Sequence, residues 1–165
     1  MTALPESARV ELWRTYATTR FVARTPSGMI ELRHGVASPA LDALMEEREP
    51  EYWCFIAAWN PRSQQLPLEE NRERNLQLCR DLESLGAETL PGEGVGVDPS
   101  WLPEESFLAR GIVPVEAATL GRKHGQVAVL IGQRGKLAYL IDCSTEERYS
   151  SEIDRPAKGN SIESQ

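Results

Sequence analysis

Three asparagines carry the first chemical question. Asn60 ends the stretch YWCFIAAWN and is followed by Pro61, while Asn71 and Asn75 open a charged segment, EENRERNLQLCRDLESL. Positions 71, 75, 78, 82 and 85 step by four, three, four and three, so they share one helix face. The last three are Leu78, Leu82 and Leu85, a core stripe that turns polar at its N-terminal end, the end next to Trp59 and Asn60. Amides gathered there can orient a polar ligand. The N–H groups and positive dipole end of the helix lie nearby. Carboxyl ends of strands in open α/β sheets favour ligands for the same reasons. The same residues also read as carpentry, because Asn-Pro makes a turn and Asn71 can bond the carbonyls of loop 61–66. From the residues alone both readings stay open.

Further polar lining is expected from two later segments. In WLPEESF the adjacent Glu104 and Glu105 point to opposite faces of a strand and cannot work as a glycosidase pair. One of them can enter the pocket, and Glu105 and Ser106 are named for it; the alternative is a pair of solvent-facing carboxylates at a strand entrance. In KHGQ, His124 sits in a last helical turn beside Arg122 and Lys123, where the dipole favours cations. Its functional alternative is a general base or anion contact beside Gln126. With Trp59 as a stacking surface and Ser63 close to Asn60, these residues make up the expected ligand site: Trp59, Asn60, Ser63, Asn71, Asn75, Glu105, Ser106, His124 and Gln126.

Other chemistries find no support. Neither Gly-x-Ser-x-Gly nor His-Glu-x-x-His occurs, and GEGVGVD lacks the Lys-Ser/Thr ending of a phosphate loop, so it reads as flexible loop. His34 and His124 have no acidic partner at ligand spacing, so no metal site is expected. Cys54, Cys79 and Cys143 are isolated and form no Cys-x-x-Cys pair, which suits buried reduced thiols.

The whole chain sets the frame. Its 165 residues, 41% hydrophobic and 26% charged, suit one globular domain. A net charge of −7 argues against broad nucleic-acid binding. Arg72, Arg74 and Arg80 alternate with acidic residues as on a solvated helix face. No apolar run nears the roughly 18–20 residues of a membrane span. The N-terminus has no secretory pattern, so a cytoplasmic protein is expected.

The elements that must position the site follow from periodicity. Helical spacing of Val10, Trp13 and Ala17 predicts a helix over 6–16, and TTRFVAR and MIELR flank TPSG as a hairpin. Ser38-Pro39 opens a second helix. Residues 52–59 read as a central strand buried on both faces, and 67–85 as the longest helix, stopped by Gly86. PGEGVGVDPSWLP reads as a long loop, EESFLARG as a strand and 114–124 as a helix. QVAVLIG and KLAYLID form a second hairpin. The expected fold is α/β, with α+β as the alternative: a single domain with a mixed β-sheet, hairpins near both ends and about four helices. Its expected bounds are 7–143, between a flexible N-terminus (1–6) and a polar, disordered tail (144–165).

The strings AAWNPRS, EEN, LESLGA, EESF and HGQVAV, taken together over about residues 11–142, resemble a bacterial family catalogued as domain of unknown function 3293. That family tends to have threonine where this chain has Ala57. The resemblance implies a compact bacterial cytoplasmic protein and no activity or catalytic residue. The expected function is binding of a small polar or nucleotide-like molecule at the strand–helix junction, with a reaction neither required nor excluded. The alternative is a non-enzymatic interaction or regulatory domain, with a protein partner on its acidic surface and Trp101 as a contact.

Overall fold

The computed structural model describes residues 5–45 and 51–149. In chain order the elements are α1 (Glu6–Thr18), β1 (Arg20–Thr25), β2 (Gly28–Leu32), α2 (Pro39–Met45), β3 (Tyr52–Ile56), a 3-10 turn (Pro61–Ser63), α3 (Leu68–Ser84), β4 (Glu88–Val95), β5 (Glu104–Arg110), α4 (Pro114–Lys123), β6 (Ala128–Gln133) and β7 (Tyr139–Asp142). One seven-stranded sheet runs in the order β2-β1-β4-β5-β3-β6-β7. The α/β class, the four helices and the hairpins near both ends are as expected.

The sheet itself departs from the expected mixed one, since every pairing of neighbouring strands is antiparallel. Helix α3 does connect two strands of the same direction, β3 and β4, but β5 inserts between them. Likewise α4 connects β5 and β6, with β3 between them. Each crossover therefore skips a strand, and a strand–helix–strand order that usually implies parallel neighbours yields none.

β3 is interior, hydrogen-bonded to β5 on one side and β6 on the other. Its uninterrupted apolar sequence is what two buried faces require. Cys54 and Ile56 pack with Leu78 and Leu82 of α3 and with Ala117 and Ala118 of α4. Trp53 and Phe55 point to the opposite face, with Trp13 of α1 and Leu41 and Met45 of α2. Two helices thus cover each face, and the two-residue alternation of β3 divides the core between them.

Two other expectations change. Residues 91–95, the first part of the stretch read as a long loop from its Pro and Gly content, belong to strand β4, which is paired on both edges. Gly92 explains the composition: a Cβ there would lie 2.7 Å from Phe55 Cζ, so the ring occupies the space that a side chain would fill. The tail expected from 144 is packed at its start, with the Tyr149 ring stacked on Trp13 at 4.1 Å and Arg148 bridging to Ile141. The rest of that tail and residues 1–4 lie outside the described residues. Among the described residues, no helix is long and apolar enough to cross a membrane.

Candidate functional site

Beyond Ile56 the chain stays buried through Ala57, Ala58 and Trp59, although strand pairing has ended. Backbone polar groups there need partners, and side chains supply them. Ala58 N–H donates to Asn75 Oδ1 at 2.8 Å, and Asn60 N–H to Asn71 Oδ1 at 2.8 Å. The Ala58 carbonyl accepts from Arg74 Nε at 3.1 Å and the Trp59 carbonyl from Gln126 Nε2 at 3.1 Å. Four side chains, three from α3 and Gln126 from the α4–β6 connection, thus replace a ladder partner. Asn75 Nδ2 also reaches the Glu105 carbonyl at 2.8 Å, tying α3 to β5.

The Asn60 side chain is the node. Its Oδ1 accepts from Asn71 Nδ2 at 2.8 Å and from Leu66 N–H at 3.0 Å, while its Nδ2 donates to Glu104 Oε1 at 3.1 Å. The backbone here is left-handed at Asn60 (φ 42°), Arg62 (φ 56°) and Ser63 (φ 59°). Asn tolerates that region; Arg and Ser pay about 1–2 kcal/mol each. The turn is held by Arg62 N–H donating to the Gly125 carbonyl at 2.7 Å. Gly125 has φ 71°, and a Cβ there would meet Pro61 Cβ at 2.7 Å, so only glycine allows the approach.

Beside this node, between α1 and the sheet, is a cavity of about 540 Å³. Tyr16, Phe21, Phe55 and Trp59 give it aromatic walls, and Trp101 lies at its exposed margin. Asn60, Ser63, Glu104, Ser106 and Gln126 are its principal polar lining. Glu104 Oε1 accepts from Asn60 Nδ2 and from Trp101 Nε1 at 3.2 Å. Burial pushes its carboxyl pKa up, against the pull of those two hydrogen bonds. The Tyr16 phenol is pushed up to about 12, first by burial and then by the Glu104 charge, with a hydrogen bond to Ser63 opposing.

The structure thus brings Trp59, Asn60, Ser63, Ser106 and Gln126 to one cavity and leaves Asn71, Asn75, Glu105 and His124 outside its lining. Glu105 is the outward member of its pair, its side chain 53% exposed and 3.6 Å from Arg72. Strand parity carries the signal: Glu104 shares a face with Ser106 and Leu108, so a pocket that takes Ser106 takes Glu104. His124 is buried, with Nε2 2.8 Å from Asp81 Oδ2, which also binds Lys123 Nζ at 2.8 Å. Sequence reasoning missed Tyr16 and Phe21, whose α1–β1 segment has no motif to mark it as part of a site, and Phe55 of β3, which reads as core.

Burial raises the thiol pKa of Cys54 and Cys143, the latter to about 12, which disfavours either as a nucleophile at neutral pH. Among the described residues, no group of three or more His, Cys, Asp or Glu side chains is placed to hold a metal ion. No curated protein and no solved structure matches the chain. Residues 56–129, which run from the last residue of β3 through the asparagine node, Glu104 and Gln126, match the family described as "Protein of unknown function (DUF3293)", the family that the motif strings resemble.

Proposed function

We propose that this protein is a small-molecule-binding domain whose polar ligand occupies the cavity between α1 and the sheet. One observation carries the reading: Glu104 brings a carboxylate into aromatic surroundings, held there by Asn60 and Trp101. A volume of about 540 Å³, mostly apolar walls and a few fixed polar groups are the attributes of a ligand pocket. A buried carboxyl costs stability, which suits a residue kept for binding rather than for folding. The proposal includes a bacterial cytoplasmic setting, supported by the three free thiols and by the family resemblance.

The test is a thermal-melt screen of the protein against amines, nucleotides, amino acids and sugar phosphates. A ligand at about 100 times its dissociation constant adds roughly 2.7 kcal/mol, several degrees for a domain of this size. The site-blocking variant is Thr15→Trp, on the exposed surface of α1 at the cavity lining. A shift in wild type that disappears in Thr15→Trp supports the reading, and a flat screen contradicts it. Asn60→Ala is a poorer probe, because the Asn60 amide also binds Leu66 and Asn71.

A second reading is recognition of a protein through loop 96–103. It is favoured by Val97 and Leu102, 76% and 80% exposed on either side of Trp101. A flat ligand screen together with a stable complex sensitive to Leu102→Asp would select it.

A further inference from the structure

We infer that the ligand of this cavity is an organic cation, an ammonium or amidinium group on an apolar body, with Glu104 as its counter-ion. The inference rests on the cavity being a ligand site and goes further in assigning the ligand's charge.

The charged residues that line the cavity are Glu104, Asp98 and Arg62. Arg62 is exposed and sits on the strained turn at the rim, whereas Glu104 is only partly accessible. Among the described residues, no Lys, Arg or His forms an ion pair with Glu104. Its Oε1 already accepts from Asn60 and Trp101, and among the described residues none donates to Oε2. A desolvated carboxylate is expensive without a compensating charge, and a bound cation supplies one. An anionic ligand would instead meet the Glu104 carboxylate inside the cavity, with Asp98 and Arg62 offsetting each other at the exposed margin.

The walls point the same way. Tyr16, Phe21, Phe55, Trp59 and Trp101 all line the cavity. Ring faces are negative, so an ammonium or amidinium among them gains cation–π attraction, which strengthens with desolvation. Such a cation is recognised by aromatic walls and one carboxylate, which this cavity combines. Rigidity adds selectivity: Asn60, the donor that fixes Glu104, is itself held by Asn71 and Leu66.

The experiment is calorimetric titration of the full 165-residue chain with matched pairs. Choline is compared with its neutral isostere 3,3-dimethylbutan-1-ol, and benzylamine with benzyl alcohol. The expected result is that at least one cation binds at least tenfold more tightly than its neutral partner, about 1.4 kcal/mol. That preference should be lost in Glu104→Gln, and all binding in Thr15→Trp. Equal affinities within both pairs, or a preference that survives in a folded Glu104→Gln, overturns the inference. The wild-type comparison stands by itself if the Gln variant does not fold. If nucleotides or neutral compounds bind and Thr15→Trp abolishes it, the cation assignment falls and the ligand site remains. If no compound of any class binds, both fall.

Discussion

Asn71 and Asn60 are joined twice: Asn71 Oδ1 accepts the backbone N–H of Asn60 at 2.8 Å, and Asn71 Nδ2 donates to Asn60 Oδ1 at 2.8 Å. The buried amide of Asn71 and the half-buried one of Asn60 therefore have different tasks at this strand–helix junction. Asn71 closes the backbone after β3. Asn60 receives that support on one side and passes it to Glu104 on the other.

Asn71→Leu should destabilise the fold by about 2–3 kcal/mol. It removes the acceptor for Asn60 N–H and the donor to Asn60 Oδ1 and the Leu66 carbonyl, and orphaned buried groups cost about 1–3 kcal/mol each. Urea unfolding measures it. Unchanged stability would mean that the pair is dispensable to the fold.

Glu104→Gln should leave the melting temperature at pH 7 equal or higher. A carboxyl whose folded pKa is raised stabilises the fold below its ordinary value and loses that contribution as pH rises. Any advantage of the Gln variant should therefore shrink below the ordinary carboxyl pKa of 4.5. Melts of both proteins from pH 3.5 to pH 8 check the sign. A Gln variant clearly less stable at pH 7 would assign Glu104 to the fold instead.

Gly125→Ala should cost about 1–3 kcal/mol, since alanine at φ 71° is strained and its Cβ would press on Pro61. The turn carrying Arg62 and Ser63 would shift with it, so ligand-induced stabilisation should fall as well. Chemical denaturation with and without the best ligand of the screen separates the two effects.

Asp81 links α3 to α4 by holding Lys123 and His124, each at 2.8 Å. The Lys123 hydrogen bond is the main cause that brings its carboxyl down to about 2 from 3.8; burial opposes it, and His124 assists. A depressed carboxyl stabilises the fold above its unfolded pKa and loses that contribution as pH falls toward the folded one. Lys123 is 59% exposed, so solvent screening reduces the contribution to about 1 kcal/mol. Asp81→Asn should lose that at pH 7 and little at pH 2, as read from urea midpoints at both.

Much of this was legible in the sequence because local pattern and final environment agree. The apolar run at 52–59 marked an interior strand, although pairing stops at Ile56, and the 71–75–78–82 spacing placed two asparagines on the buried stripe beside it. β4 was not legible: Gly92 and Gly94 look like loop, yet Gly92 is small because the Phe55 ring lies against it from another strand. The choice of Glu105 over Glu104 failed at strand parity, a one-residue matter that inverts the face. Tyr16 could not be found locally, since Ser63 and Glu104 are far along the chain and only the packing of α1 on the sheet brings its ring to their cavity.

The most direct test of the central claim is the ligand-screen melt run in parallel on wild type and Thr15→Trp. A shift of several degrees with at least one compound class, absent in the variant, is the predicted result. No shift with any class, or an equal shift in both proteins, would contradict a ligand site in the cavity that Glu104 lines.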